Sequence, residues 1–306
     1  MAEKKKQHII PACYLRAWCD PNTPRGQRPY IWRIRKDGSS KIKRSPEKSF
    51  TATDKYTIRL EDGRRNLVIE NTLEKIESEF VRVLRKVRRR ERLSASDRAR
   101  LCVFAAAMHS RSNAMGEHWK KQMSHLHEVV VNMEQASNFA PIQSLETAKM
   151  VENAHQDLIK TSLEIESPVL FRMHLSIPVT DDETGFITSD TPCVWFNPSS
   201  YKLPPMFRAP GLAQAETEVT LPLTPQHLLF ISHHDTNEYV KLREDLLDEC
   251  NRLRRFSCKE EFVSWKGKTR PYWFDRGEEP SDSWEKSEAG LEALGEQDIK
   301  EDSRGE

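Results

Sequence analysis

The sequence predicts an α+β domain in which a mostly antiparallel sheet packs against long central helices. Three observations carry that expectation. Alternating apolar residues mark strands before residue 60, steps of three and four dominate about 66–165, and alternation returns beyond 169. With 306 residues, 37% of them hydrophobic, the chain can bury one large core. A single domain is expected over 1–275. A disordered acidic tail is expected over 276–306, where eleven acids face four bases and β-branched residues are scarce.

Residues 30–43, YIWRIRKDGSSKIK, alternate Tyr30, Trp32 and Ile34 with charged neighbours and turn at Asp37-Gly38, a hairpin signal. A short strand is expected at 55–60. Ile69, Leu73, Ile76, Phe80, Val83 and Val87 then share one helical stripe. Ser94 and Asp97 fit a capping box that opens a second helix running to about 137. Pro141 separates a third helical stretch, about 143–165. Val169, Phe171, Met173, Leu175 and Ile177 occupy every second place and predict a strand over 169–177. Further strands are expected at 186–188, 218–225 and 228–233, with Pro222 marking an edge. A helix over about 236–256 and a strand at 261–265 complete the pattern.

Six scattered cysteines without CxxC spacing predict reduced thiols in a cytoplasmic protein. The basic N-terminus has no apolar stretch behind it, so no signal peptide is expected, and no apolar run is long enough to span a bilayer. The net charge of +1 conceals a basic body of about +8 before the tail. Its densest run, VRVLRKVRRRERL, contains Arg85, Arg88 and Arg89. These suit a nucleic-acid backbone or, equally, a solvated helix face, since no aromatic residues interleave with them.

Four stretches carry candidate chemistry. KKKQHIIPACYLRAW brings His8, Tyr14 and Arg16 together around Pro11. His8 suits proton transfer, while Tyr14 and Arg16 suit substrate binding; the alternative is a terminus held by apolar anchors. Glu70, Glu74 and Glu77 align on one helix face, where carboxylates can ligate magnesium or manganese or simply complement the helix dipole. In FAAAMHSRS, Arg111 ends an apolar run and needs an anion, with Glu70 or Glu77 nearest in sequence terms. In GFITSDTP, Ser189 and Asp190 end a strand before a proline. Asp190 there is either a displayed catalytic or metal-binding carboxylate or an Asx turn bonded to backbone amides. No P-loop, dinucleotide glycine signature, GxSxG or HExxH is present.

QHIIPACYLRAW resembles the His-x-x-Pro-x-x-Tyr-Leu-Arg opening of the domain of unknown function 4238 family of bacteria, phages and fungi. The resemblance continues through Ile69-Glu70 and Glu77, Arg111, TSDTP, LPLTP (221–225), Asn251 and EEFVSW. It implies that His8, Arg16, Glu70, Arg111, Ser189 and Asp190 belong to one site, and it implies no particular activity. Two functions are therefore expected to compete. One is a metal-dependent phosphodiester or nucleotide hydrolase: Asp190 with Glu70 or Glu77 holds the cation, His8 and Ser189 take part in the chemistry, Arg16 and Arg111 steady the phosphate, and Arg85, Arg88 and Arg89 steer nucleic acid. The other is a non-enzymatic binding module, in a phage-defence or mobile-element setting, whose polar cluster is a structural salt-bridge network.

Overall fold

The computed structural model describes residues 6–59, 62–137, 142–204 and 208–275; the acidic segment 276–306 lies outside the described residues. The expected architecture is present. A short strand β1 (Lys6–His8) and one helical turn, α1 (Ala12–Leu15), precede the hairpin of β2 (Ile31–Arg35) and β3 (Lys41–Arg44). Gly38 turns that hairpin with φ +78°, a conformation that favours glycine. Short strands β4 (Thr51–Thr53), β5 (Ile58–Arg59) and β6 (Arg65–Asn66) lead into α2 (Val68–Arg88).

The helical middle is more broken than its periodicity predicts. Ser94 and Asp97 form the expected reciprocal cap, but α3 (Ala95–Ser110) ends at Arg111 and α4 (Asn113–Ser137) starts afresh. Helices α5 (Ile142–Glu152) and α6 (Ala154–Thr161) follow; a π-turn over Ser162–Glu166 then joins α6 to α7 (Ser167–Arg172). The strand expected over 169–177 is thus corrected: 167–172 is helical, and β7 is His174–Val179. The alternation of Val169 and Phe171 misleads because Pro168, in the first turn of α7, needs no amide partner and lets the helix continue. Phe171, which that pattern would bury, is 43% exposed.

Beyond it lie β8 (Thr188–Ser189), β9 (Val194–Phe196), β10 (Glu218–Thr224), β11 (His227–Ser232) and β12 (Tyr239–Lys241). Helix α8 (Glu244–Ser257) starts later than expected, and β13 (Glu261–Ser264) closes the fold. One sheet runs β12-β7-β11-β10-β9, with only the β12–β7 pairing parallel; a second runs β3-β2-β13-β8, antiparallel throughout, and β1–β4 and β5–β6 form two small antiparallel pairs. Strand β10 is internal, yet its partner β9 ends opposite Thr220, so Pro222 sits where the strand has a neighbour on one side only. The main core lies between the central helices and the five-stranded sheet; within it, the Phe80 and Phe104 rings stack 3.7 Å apart. Among the described residues, no helix is long and apolar enough to cross a membrane.

Candidate functional site

The segment 185–192 is where the candidate motifs meet. Ile10, Tyr14, Leu15 and Trp18 are fully buried, so their apolar bodies draw the N-terminal segment inward and carry its polar tips with them. The Trp18 indole N–H donates to the Phe186 carbonyl at 2.8 Å, and the Tyr14 hydroxyl bonds Thr188 Oγ1 at 2.6 Å. From the LPLTP stretch, the Pro225 carbonyl accepts the Phe186 amide at 2.7 Å. That approach is so close that a Cβ on Gly185, which has φ +62°, would collide with Pro225. Asn251 of α8 accepts the Ile187 amide and donates to the Gly185 carbonyl, both at 2.9 Å, as a paired strand would.

The serine-aspartate corner completes this ring of contacts. The Asp190 carboxylate accepts three backbone amides, from Lys259 at 2.9 Å, Glu260 at 2.6 Å and Glu261 at 3.1 Å. Ser189 is buried and accepts the Thr191 amide; Thr191 Oγ1 donates to the Ser257 carbonyl. Pro192 offers its carbonyl to the buried Arg254. Asp190 is bonded to backbone amides, but across to residues 259–261 rather than within the local Asx turn: the carboxylate fastens the start of β13 to the end of β8.

A second cluster gathers at the start of the chain. Buried Arg111 bonds Glu77 through Nη1 at 2.9 Å and the His8 carbonyl through Nη2, while its own carbonyl accepts the Tyr56 hydroxyl at 2.9 Å. Cys13 Sγ lies 3.7 Å from the other Glu77 oxygen; burial, then the Glu77 charge, pushes its thiol up to about 12. The His8 imidazole donates from Nε2 to the Glu47 carbonyl at 3.2 Å, and burial lowers its pKa. Exposed Arg16 pairs with the Glu47 carboxylate at 3.2 Å. His8 and Arg16 therefore meet at residue 47, Arg111 and Glu77 meet at His8, and Tyr14 and Ser189 belong to the 185–192 ring.

The residues expected to form a single reaction centre are divided between two hydrogen-bonded groups, although Ile9 and Asp190 line one hollow. No hydrogen bond or ion pair joins His8 to Asp190. Among the described residues, no three His, Cys, Asp or Glu side chains gather where they could hold a cation, and Glu70, Glu77 and Asp190 are not drawn together as the expected magnesium or manganese ligands. The physical reason is prior commitment: Glu77 neutralises Arg111, and both Asp190 oxygens face amides. Arg85, Arg88 and Arg89 are exposed at the C-terminal end of α2, where cations complement the helix dipole, and Arg89 pairs with Glu91.

Three hollows of mixed charge adjoin one another beside the hairpin. Residues 25–48 contain nine Lys and Arg against two acids. One, of about 880 Å³, is lined by Arg35, Lys36, Asp37, Arg255, Phe256, Glu260, Glu261 and Phe274. It shares Glu260 and Glu261 with a hollow of about 280 Å³ at Asp190 and Lys48, which in turn shares Lys48 with one of about 490 Å³ at Arg16 and Arg28. Rings and cations pair on both faces of the hairpin. Lys43 lies 4.5 Å from the Tyr30 ring and 4.7 Å from Trp32; Arg33 sits 4.6 Å over Phe50, and Arg255 5.2 Å over Phe274. Several cations are already occupied: Arg33 by Glu261, and Lys36 by the Phe256 and Cys258 carbonyls. Arg28, Arg35, Arg44 and Lys48 make no hydrogen bond or ion pair with any described side chain.

A family model described as "Protein of unknown function (DUF4238)" matches residues 6–266. The chain belongs to this family. Comparison with curated proteins and with solved structures gives no significant match. The DUF4238 region spans His8 through β13, so every contact around 185–192 lies inside it.

Two imidazoles give this DUF4238 domain a pH dependence. Burial, then the Lys55 charge, lowers His155 to about 4; its Nε2–H donates to the Ser110 carbonyl at 2.9 Å. Burial, then Arg90 and Arg88, lowers His227 to about 4, with Nδ1 2.8 Å from Thr224 Oγ1. Both are neutral in the fold, whereas the unfolded chain protonates them near 6.5. Their stabilisation is therefore whole above about pH 6.5 and is lost as pH falls toward 4. Urea titrations should show the unfolding constant rising by up to about tenfold per pH unit for each imidazole in that window. His155→Gln with His227→Gln should flatten the slope; an unchanged slope in that variant would contradict the assignment.

Proposed function

We propose that this DUF4238 protein is a binding module that holds single-stranded nucleic acid along the hairpin groove. Its motif residues keep the walls of that groove in register. The observation that carries this reading is the set of four cations without an ion pair among the described residues, Arg28, Arg35, Arg44 and Lys48, around the hairpin, with Phe256 and Phe274 beside Arg35 and with Trp32 on the hairpin's other face. Free cations release counterions from a phosphate backbone, and aromatic rings stack on bases whatever their identity. Phe256 is 56% exposed, so its ring is open to a base. The basic run of α2 lacks such rings and makes the weaker candidate.

A hydrolase would need the same carboxylates and imidazole that are already bonded within the protein, and Ser189 is buried. The two readings separate in one assay. A fluorescent oligothymidylate of about 16 nucleotides is titrated with the protein in EDTA and then in magnesium, with the oligonucleotide length checked afterwards. Equal binding in both buffers, with the oligonucleotide intact, is the expected result. Absence of binding, or cleavage that needs magnesium, would overturn the proposal.

A further inference from the structure

A buried cation of α8, next in sequence to the groove residue Arg255, lacks an anion. Arg254 of α8 is 4% exposed, yet its three hydrogen bonds all go to neutral oxygens: the Pro192 carbonyl, the Thr220 carbonyl at 3.1 Å and Thr220 Oγ1 at 2.8 Å. Its Nε–H donates to no described protein atom. The titratable groups that face it are the Tyr14 hydroxyl and the Cys193 and Cys250 thiols; burial raises all three, so each is neutral at pH 7. Among the described residues no carboxylate pairs with it. A buried charge is ordinarily paired, because desolvating it alone is costly.

Arg254 lines a hollow of about 90 Å³ between α8 and the β9–β10–β11 face. The other walls are apolar, with Phe186, Val194, Phe196, Phe230 and Leu253 among them, and Glu218 stands in the lining. Burial raises the Glu218 carboxyl. We propose that this hollow binds a short-chain aliphatic carboxylate, its head on Arg254 and its hydrocarbon against the rings. The hollow is smaller than the ~150 Å³ that accepts a benzene, so only a short chain fits.

Sodium isobutyrate is the probe, and isobutyramide, equal in shape but uncharged, is the control; binding is read by ligand-observed saturation-transfer NMR on the full chain. Isobutyrate should bind about tenfold or more tightly than the amide, as a charge-assisted hydrogen bond requires. Leu253→Trp, at the half-buried mouth of the hollow, should abolish the signal while the melting temperature stays put. Equal binding of acid and amide, or no binding of either, would overturn the proposal, and so would full binding by a folded Leu253→Trp. The comparison of acid with amide needs no variant, so the proposal stays testable even if Leu253→Trp misfolds.

Discussion

Arg111→Met should destabilise the fold by about 3–5 kcal/mol, the usual cost of removing one member of a buried pair. Three parts of the chain depend on that guanidinium and its backbone. Glu77 fixes α2, the His8 carbonyl fixes β1, and Tyr56 reaches the Arg111 carbonyl from the loop before β5. With Arg111 gone, Glu77 keeps a charge in a site only 22% exposed, with a Cys13 thiol as its remaining partner. Urea denaturation checks the value. Adding Glu77→Leu to Arg111→Met should recover part of the loss, because an apolar pair replaces a stranded charge. A cost below about 1 kcal/mol, the worth of an ordinary exposed pair, would show that the cluster is not structural.

Replacing Arg28, Arg35, Arg44 and Lys48 together with Gln should remove most of the affinity for single-stranded oligonucleotide without changing the melting temperature. None of the four bonds a described group, so their loss leaves nothing unsatisfied. If each meets one phosphate, the plot of log affinity against log salt should have a slope of about −3 in the unaltered protein and lie near zero in the variant. Arg85→Gln with Arg88→Gln should alter the slope little, since no aromatic ring accompanies them. Anisotropy titrations across salt concentrations read both variants; a flattened slope in the α2 pair alone would move the binding face to that helix.

Much of the fold was legible in the sequence, because periodicity reports burial on one face. The hairpin, the stripe of α2 and the Ser94 cap all appear as their residues predict. Periodicity fails where burial is two-sided or absent: β7 is covered on both faces over most of its length, and Phe171 alternates with its neighbours while facing water. The motif residues were legible as a set, but not their geometry. A side chain's partner is fixed by tertiary approach, and nothing local to TSDTP tells that three amides seventy residues later will take the carboxylate. The groove did have a signal in the sequence: nine bases within 25–48, interleaved with Tyr30 and Trp32, on a hairpin. It competes poorly for notice with the unbroken arginine run of α2, whose side chains are spread along one exposed helix end.

The most direct test of a structural role for the serine-aspartate corner is native-state hydrogen exchange at the amides of Lys259, Glu260 and Glu261. Lys259 and Glu260 are exposed, and without Asp190 their amides would exchange freely. All three should be protected in the unaltered protein, and that protection should collapse in Asp190→Asn while the core of β10 and β11 stays slow. Fast exchange at these amides in the unaltered protein would mean that the carboxylate is free for other chemistry, and the structural account of the corner would fail.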